Sequence, residues 1–529
     1  MAKRSGLSRR QFLAGATVGA MGIAAVSTLG GCAPEAQPLP ETAEVENWKE
    51  LSLDELSDGQ TVDADVCVIG AGISGLCAAV AAAENGSKVV LLEAGSALLP
   101  GYGHAIMACG TEWQKEQGIE LTAEEMVADL MESGDPHLSK ELITFAVEKS
   151  AENISWLAEH GVDFVPGATT VESDNMVLPR RQFHTKSYND GAAGFLAPLL
   201  AAAEAAGADI RFNALALDLI VSEDGVVEGV IANNEGSQLT VNARSTVICA
   251  GGYCANDVLL REYAPRIPNA GPGVQMVRPD SSGFAIRMGK KLGAEIVATG
   301  GVIGCFMNAH GATFDDLGQC MHVNVDGNRF INENVYWNGR GIPYFEKGVS
   351  HAYVIFDEKL YTEGIYKPMR HSLGEGKCDD AIEAGSAYKE DTIEALAAKI
   401  GCNGAALKST VERYNGFCAT GVDDDFGKPA DVIGWLMDPE RENLYDIDGR
   451  EESFHLLNPV ATPPFYAVRI DLNTASIYGT SGGVKIDKDA RVLDTYGNPI
   501  PGLYAAGESA NGELLAAAYP HGGSSLMIC

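Results

Sequence analysis

At 529 residues the chain exceeds what one hydrophobic core usually serves, so more than one domain is expected, and 46% apolar with 21% charged content excludes a disordered or fibrous protein. Its 72 acidic residues outnumber 38 basic ones, and the net charge of −34 repels phosphate backbones and anionic headgroups, which argues against nucleic acid as a partner. The same field slows anionic substrates unless a basic pocket offsets it.

The first residues break this pattern. Lys3, Arg4 and then Ser8-Arg9-Arg10-Gln11-Phe12-Leu13 precede an apolar stretch from Ala14 to Leu29, the layout of a twin-arginine export signal. A membrane anchor is the alternative, but Gly15, Gly19 and Gly22 interrupt the run, which is short for a spanning helix. Leu29-Gly30-Gly31-Cys32 is similar to a lipobox and makes Cys32 the candidate lipid attachment. The expectation is export across the cytoplasmic membrane and association with the cell envelope. Membrane contact would come only through the signal (1–32) or a lipid anchor. Because this route carries folded proteins, it also predicts a cofactor loaded before export. A flexible linker follows over 33–60, with Pro34, Pro38 and Pro40, and order is expected from near Val62.

Asp65-Val66-Cys67-Val68-Ile69 reads as a short buried strand. Gly70-Ala71-Gly72-Ile73-Ser74-Gly75 then opens an Ala-rich helix that runs to about Glu84 and stops at Asn85-Gly86. Lys88 to Leu92 is the next strand, closed by Glu93 and Ala94. This is a βαβ unit of the dinucleotide-binding type. Its glycines make a tight turn, let backbone N–H groups approach a pyrophosphate and pack helix on strand, while Glu93 is placed to accept ribose hydroxyls.

Further on, Thr122 and Glu125 form a capping box, and Leu142 to Trp156 carries apolar residues at helical spacing. Thr246-Val247-Ile248-Cys249-Ala250 reads as a buried strand ending at Gly251-Gly252. The stretch 291–455 is more polar and less regular and reads as an inserted substrate domain, with the first domain made of 61–290 and 456–529. The 12 cysteines include no C-x-x-C pair, so no zinc, haem or iron–sulfur site is signalled and no metal is expected. Cys67, Cys77 and Cys249 read as small core residues.

Ile500-Pro501-Gly502-Leu503-Tyr504-Ala505-Ala506-Gly507-Glu508 is a second signature. With it, and with Gly251-Gly252, Ser282-Gly283, Gly327 to Glu333 and Gly482-Gly483-Val484, the chain resembles the flavoprotein family of soluble fumarate reductases, urocanate reductases and 3-ketosteroid Δ1-dehydrogenases. The resemblance implies an α/β fold: a Rossmann-like, glutathione-reductase-like FAD-binding domain with an inserted α+β substrate-capping domain. It also implies FAD as cofactor, passing Gly507 and Glu508. By the same resemblance Gly70, Gly72, Ile73, Ser74, Gly75, Glu93, Ala94, His104, Gly110, Ala250, Gly251, Gly252, Ser524, Ser525 and Leu526 line the cofactor. His104 aligns with a histidine that tethers FAD covalently in membrane-bound relatives, but non-covalent binding is the expectation. At the end of the chain, Ser524 to Cys529 stands where the family continues into a helix whose N-terminus points at the flavin ring.

Dicarboxylate reducers of the family carry His-His-Thr-Met-Gly-Gly, an arginine after Phe-Asp-Asp, and Asn-Arg before a late Gly-Gly. The corresponding positions here read Tyr478-Gly479-Thr480-Ser481-Gly482-Gly483, Tyr361 after Phe356-Asp357, and Tyr519-Pro520 before His521-Gly522-Gly523. Without a bidentate arginine, fumarate or succinate is a poor expectation. The segments instead resemble the ketosteroid dehydrogenases. That implies the Tyr519 hydroxyl and the Gly523 N–H as an oxyanion hole on a carbonyl, although a plain turn after an Ala-rich helix would use the same Pro520 and glycines. Tyr336 is the candidate proton donor, with Tyr361 and Tyr478 behind it; each could instead be an aromatic wall against a flat substrate.

The expected activity is therefore FAD-dependent reduction of an activated C=C bond in an enone or steroid-like ketone, by hydride transfer from flavin N5. A separate membrane-linked cytochrome or flavoprotein would supply the electrons, since the chain has no C-x-x-C-H haem site. Three alternatives stay open: the reverse Δ1-dehydrogenase reaction, reduction of a urocanate- or cinnamate-type acrylate with Arg340 or Arg370 on the carboxylate, and an electron carrier with no organic substrate.

Overall fold

The computed structural model describes residues 53–98, 105–164, 181–185, 193–265, 281–304, 319–334, 351–363, 377–435, 451–471, 477–517 and 524–527. Strand β1 (Ser57–Ile69) runs into the glycine loop, helix α1 (Ile73–Glu84) follows, and β2 (Val89–Leu92) returns parallel to β1 with Val66 opposite Val89 and Ile69 opposite Leu92. Order begins before the expected Val62. Ser57 already faces Ser237, and Gln60 to Ala64 face Leu239 to Ala243, so long-range ladder pairing holds a segment whose side chains are mostly exposed.

A two-stranded ribbon, β3 (Ala105–Met107) with β4 (Gln182–His184), brackets helices α2 (Ala123–Leu130) and α3 (Lys140–Glu159). The Thr122–Glu125 capping box is present: the Thr122 hydroxyl accepts from Glu125 N, and the Glu125 carboxylate accepts from Thr122 N. Helix α4 (Ala193–Ala205) then leads to β5 (Asp209–Arg211), which extends the parallel sheet beside β2, and to a meander of β6 (Ala214–Val221), β7 (Val227–Asn234) and β8 (Ser237–Ile248). β8 lies parallel to β1, with the expected strand at Thr246 forming its end.

The chain leaves this sheet through helix α5 (Phe284–Leu292) and β9 (Ile296–Gly304). A second, antiparallel sheet is built from β10 (Met321–Val323), β11 (His351–Asp357), β12 (Ala387–Glu390) and a later strand. Helices α6 (Ile393–Ile400) and α7 (Gly404–Thr420) and a β13 (Asp431–Trp435)–β14 (Glu451–His455) ribbon follow. That later strand is β15 (Phe465–Asp471), which pairs with both β11 and β12, so the second sheet takes in chain beyond the 455 boundary read from the sequence. Both faces of β11 are covered. Ala352, Val354 and Phe356 pack in one cluster and Tyr353 and Ile355 in another, which is why the strand reads as a continuous apolar run.

β16 (Ile477–Val484) pairs back on β9, and β17 (Arg491–Leu493) with β18 (Pro499–Ala505) completes the first sheet, β18 parallel to β8. A 3₁₀ turn (Gly507–Glu513) and the short helix Ser524–Met527 end the described chain. The first sheet is thus eight-stranded and mixed, in the order β17-β18-β8-β1-β2-β5 with β6 and β7 attached through β8. Helices α1 to α4 cover one face, and the meander with α5 covers the other.

Candidate active site

The glycine loop is shaped by contacts that forbid side chains. Gly70 has φ +98°, and a Cβ there would sit 2.3 Å from the Cys249 carbonyl oxygen; at Gly75 it would sit 1.9 Å from the Gly70 oxygen, so α1 rests directly on the strand ends. Gly72 differs. It is the N-cap of α1, no side chain caps the helix, and the space where its Cβ would stand is open. The first-turn N–H groups of Ile73, Ser74 and Gly75 lie at the positive end of the helix, as a pyrophosphate requires.

Glu93 at the end of β2 is 2% exposed and accepts from Ala71 N at 2.8 Å and Gly95 N at 3.0 Å. These bonds fix the carboxylate against the loop and leave it acceptor capacity for hydroxyls, since an ionised carboxylate offers about four sites. Ala94 follows, half-buried. Burial pushes the thiols of Cys67, Cys77 and Cys249 up to about 12, as suits inert core residues.

Ala250, Gly251 and Gly252 leave β8 toward the 3₁₀ turn, where the Ser509 hydroxyl donates to the Gly251 carbonyl at 3.0 Å. Glu508 accepts from Thr480 N at 2.6 Å and from the Thr480 hydroxyl at 2.9 Å, and that hydroxyl accepts from Tyr253 N at 3.1 Å. Gly252 lies close beneath: a Cβ there would come within 2.1 Å of both side-chain oxygens. The buried Asn511 amide bridges the same strand, accepting from Gly482 N at 2.7 Å and donating to the Thr480 carbonyl at 2.9 Å. Gly507–Asn511 and Gly479–Gly483 therefore interlock, and apart from Glu508 neither segment carries a charged side chain.

Among the other expected site residues, Gly110 has φ +74° in an exposed turn after β3. Ser524 is buried, Ser525 and Leu526 are half-buried, and the helix they open packs Met527 into the same core as β3, the strand after His104. Tyr478 sits where the β16–β9 pairing slips, Ile477 facing Gly304 and Gly479 facing Ile303; its side chain lies outside what is described. Tyr361, on the short helix Glu358–Thr362, packs against the second sheet. Its ring stacks on Tyr466 at 4.4 Å and its hydroxyl donates to Asp379 at 2.8 Å. His104, Tyr336, Tyr519 and Gly523 lie outside the described residues, as do Arg340 and Arg370.

Thr480, Ser509 and Asn511 were not singled out as site residues. Thr480 had a signal, since its motif was visible. Asn511 had none, being one polar residue in a small-residue stretch whose partner strand lies far back in the chain.

The loop, the acid and the 3₁₀ turn together define a dinucleotide-binding oxidoreductase. The chain belongs to the FAD binding domain family, whose model matches residues 65–526. It is similar to the urocanate reductase of Eggerthella lenta, at 27% identity over 88% of this chain and 73% of that one, and to the digoxin reductase of the same organism, at 26% over 97% and 93%. It shares its fold with the 3-ketosteroid-Δ4-(5α)-dehydrogenase of Rhodococcus jostii RHA1 solved with 4-androstene-3,17-dione, with a TM-score of 0.69 at 24% identity over 91% of this chain and 97% of that one. It is an FAD-dependent oxidoreductase acting on C=C bonds.

Proposed function

We propose that this enzyme reduces the C=C bond of an enone, of steroid-like shape, with FAD held non-covalently. The observation that carries this reading is the interlock of Gly479–Gly483 with Gly507–Asn511, which contains no cation to clamp a carboxylate, alongside a Tyr519-Pro520-His521-Gly522-Gly523 segment that lacks one at its tyrosine. The digoxin reductase, similar over almost the whole chain, supports a substrate other than a dicarboxylate.

FAD, when bound, supplies the electron pair as a hydride equivalent. The chain's part is to bind and polarise. The α1 N-terminus and Glu93 hold the dinucleotide, and the Thr480–Glu508–Asn511 bonds fix β16. The Tyr519 hydroxyl and the Gly523 N–H take the carbonyl oxygen, where two donors favour the enolate over the ketone and so open the conjugated β-carbon to attack. Tyr336 returns a proton to the α-carbon.

The twin-arginine segment and the Cys32 motif support a site of action outside the cytoplasmic membrane, with a separate membrane-linked cytochrome or flavoprotein as electron donor.

Reoxidation of reduced methyl viologen tests the substrate class. A 3-keto-4-ene steroid should be consumed while fumarate and urocanate are not, and turnover of fumarate or urocanate alone would sink the enone reading. Tyr519→Phe should keep its FAD and slow the reaction roughly a hundredfold, the cost of one oxyanion donor; an unchanged rate removes Tyr519 from the chemistry.

A further inference from the structure

Among the described residues, strand β16 pairs with β9 alone, and its other edge is closed by side chains in place of a strand. Thr480 N donates to the Glu508 carboxylate at 2.6 Å. The Asn511 amide donates to the Thr480 carbonyl at 2.9 Å and accepts from Gly482 N at 2.7 Å. The backbone groups of that edge thus depend on two residues of one 3₁₀ turn, and Asn511, 2% exposed, serves both Thr480 and Gly482. A side-chain amide can do this because it carries a donor and an acceptor together, as a neighbouring strand would.

The turn stands at the edge of the sheet where a dinucleotide belongs. Leu92, Ile69, Ile248 and Ala505 face one another across β2, β1, β8 and β18, so the four parallel strands end level. Glu93, the glycine loop, Gly251-Gly252 and Gly507-Glu508 all follow from that one row of carboxyl ends, the edge at which open α/β sheets take their ligands. Glu508 is tied there to Thr480 through both the backbone N–H and the hydroxyl. The direction of its carboxylate is therefore set by where β16 lies, and Asn511 holds β16 from the side of the turn.

We infer that Asn511 is a positioning residue for the cofactor: its amide holds the open edge of β16 so that Thr480 presents the Glu508 carboxylate to FAD. The inference rests on the reading of Glu508 as an FAD ligand. Removing the amide leaves the buried Thr480 carbonyl and Gly482 N–H without their partner, and the strand must shift to satisfy them.

Two variants divide the clip. Asn511→Ala removes both of its halves. Asn511→Asp keeps the shape and the acceptor for Gly482 N, but it has no donor for the Thr480 carbonyl until acid returns a proton to the introduced carboxyl. Each is purified as FAD-loaded full chain beside wild type. The readouts are the FAD dissociation constant from flavin fluorescence, at neutral and at mildly acid pH, and amide hydrogen exchange at Thr480 and Gly482. At neutral pH both variants should hold FAD on the order of tenfold to a hundredfold more weakly than wild type, the scale of a buried polar group left unpaired. Both should exchange the Gly482 and Thr480 amides faster in Asn511→Ala, and the Thr480 amide faster in Asn511→Asp. As pH falls, the deficit of Asn511→Asp against wild type should close while that of Asn511→Ala stays.

Wild-type FAD affinity in either variant at neutral pH overturns the inference, as does unchanged exchange at Gly482 in Asn511→Ala. An Asn511→Asp deficit that acid leaves as it was also overturns it. Should Asn511→Ala not fold, the pH response of Asn511→Asp decides alone. If Glu508→Ala keeps wild-type FAD affinity, the reading of Glu508 as a ligand fails instead, and the exchange measurement still decides whether Asn511 holds the strand.

Discussion

The Glu333 side chain is fully buried, and so is that of Lys428, 3.7 Å away. Arg329 closes the cluster with bonds of 2.8 Å to each Glu333 oxygen and of 2.9 Å to Asp423, while Lys428 also donates to the Tyr414 hydroxyl at 3.0 Å and the Cys320 carbonyl at 3.1 Å. Burial alone would raise the Glu333 pKa, but Lys428 and Arg329 outweigh it and hold the carboxyl below its ordinary 4.5. Burial likewise pushes Asp423 up, and the Arg329 bonds bring it below 3.8. A carboxylate whose folded pKa is depressed contributes stability in full above its unfolded pKa and loses it as pH falls through the folded value. Glu333→Gln should therefore cost about 3–5 kcal/mol at neutral pH by leaving buried cations short of a partner. Its deficit in urea midpoint should narrow as pH falls below about 4.5. A deficit independent of pH would mean that the ionisation of Glu333 is not its source. The motif Gly327 to Glu333 was visible in the sequence, but its charges read there as family signature. Burial of the Arg329–Glu333 pair depends on Asp423 and Lys428 from a distant loop, and local pattern carries no trace of that.

At the scale of elements, the βαβ unit was the most legible part because its strand, glycines, helix and closing acid follow one another in a single stretch from Asp65 to Glu93. Gly70, Gly75 and Glu93 all meet partners in neighbouring strand ends or in the loop itself. The N-terminal half of β1 was missed for the opposite reason: its side chains carry no apolar pattern and its ladder partner is β8, far along the chain. The second sheet was only an inserted domain in outline, since four short strands scattered from Met321 to Asp471 give no periodic signal until they pair. The glycines separate two effects that sequence cannot. Gly75→Ala drives a Cβ into the Gly70 carbonyl and should lower the stability of the flavin-free protein by about 1–3 kcal/mol through overpacking. Gly72→Ala meets nothing, and at φ −69° strains nothing, so the flavin-free melting temperature should stay put. With the pyrophosphate at the α1 N-terminus, as proposed, the added methyl would press on it, and an equal steric cost felt only in the complex corresponds to roughly ten- to hundredfold weaker FAD binding. Calorimetry of the flavin-free proteins beside FAD titration checks both. Equal FAD affinity in Gly72→Ala would move the pyrophosphate away from the α1 N-terminus.

For the whole molecule the order of events follows from how the cofactor site is assembled. The proposed FAD-binding residues come from both ends of the described chain: Gly70 and Glu93 near its start and Glu508 near its end, joined through the strand order β18-β8-β1-β2. With the site so composed, no early fragment would hold it, and a pocket able to retain FAD would exist only after the last strands have docked. A pathway that threads unfolded chain would deliver a protein that must find its flavin outside the cell membrane. One that carries folded cargo avoids this, and the proposed twin-arginine signal, Arg9-Arg10 ahead of an apolar run, would serve that need. Substituting both arginines by lysine keeps the charge but removes the guanidinium pair. We expect Arg9→Lys/Arg10→Lys protein to accumulate in the cytoplasm, yellow and active on reduced viologen, since on the proposed route folding and loading precede export. The native chain should appear in the envelope fraction with FAD bound. Fractionation with flavin fluorescence distinguishes the outcomes: variant protein that reaches the envelope as efficiently as the native chain would mean that another signal carries it.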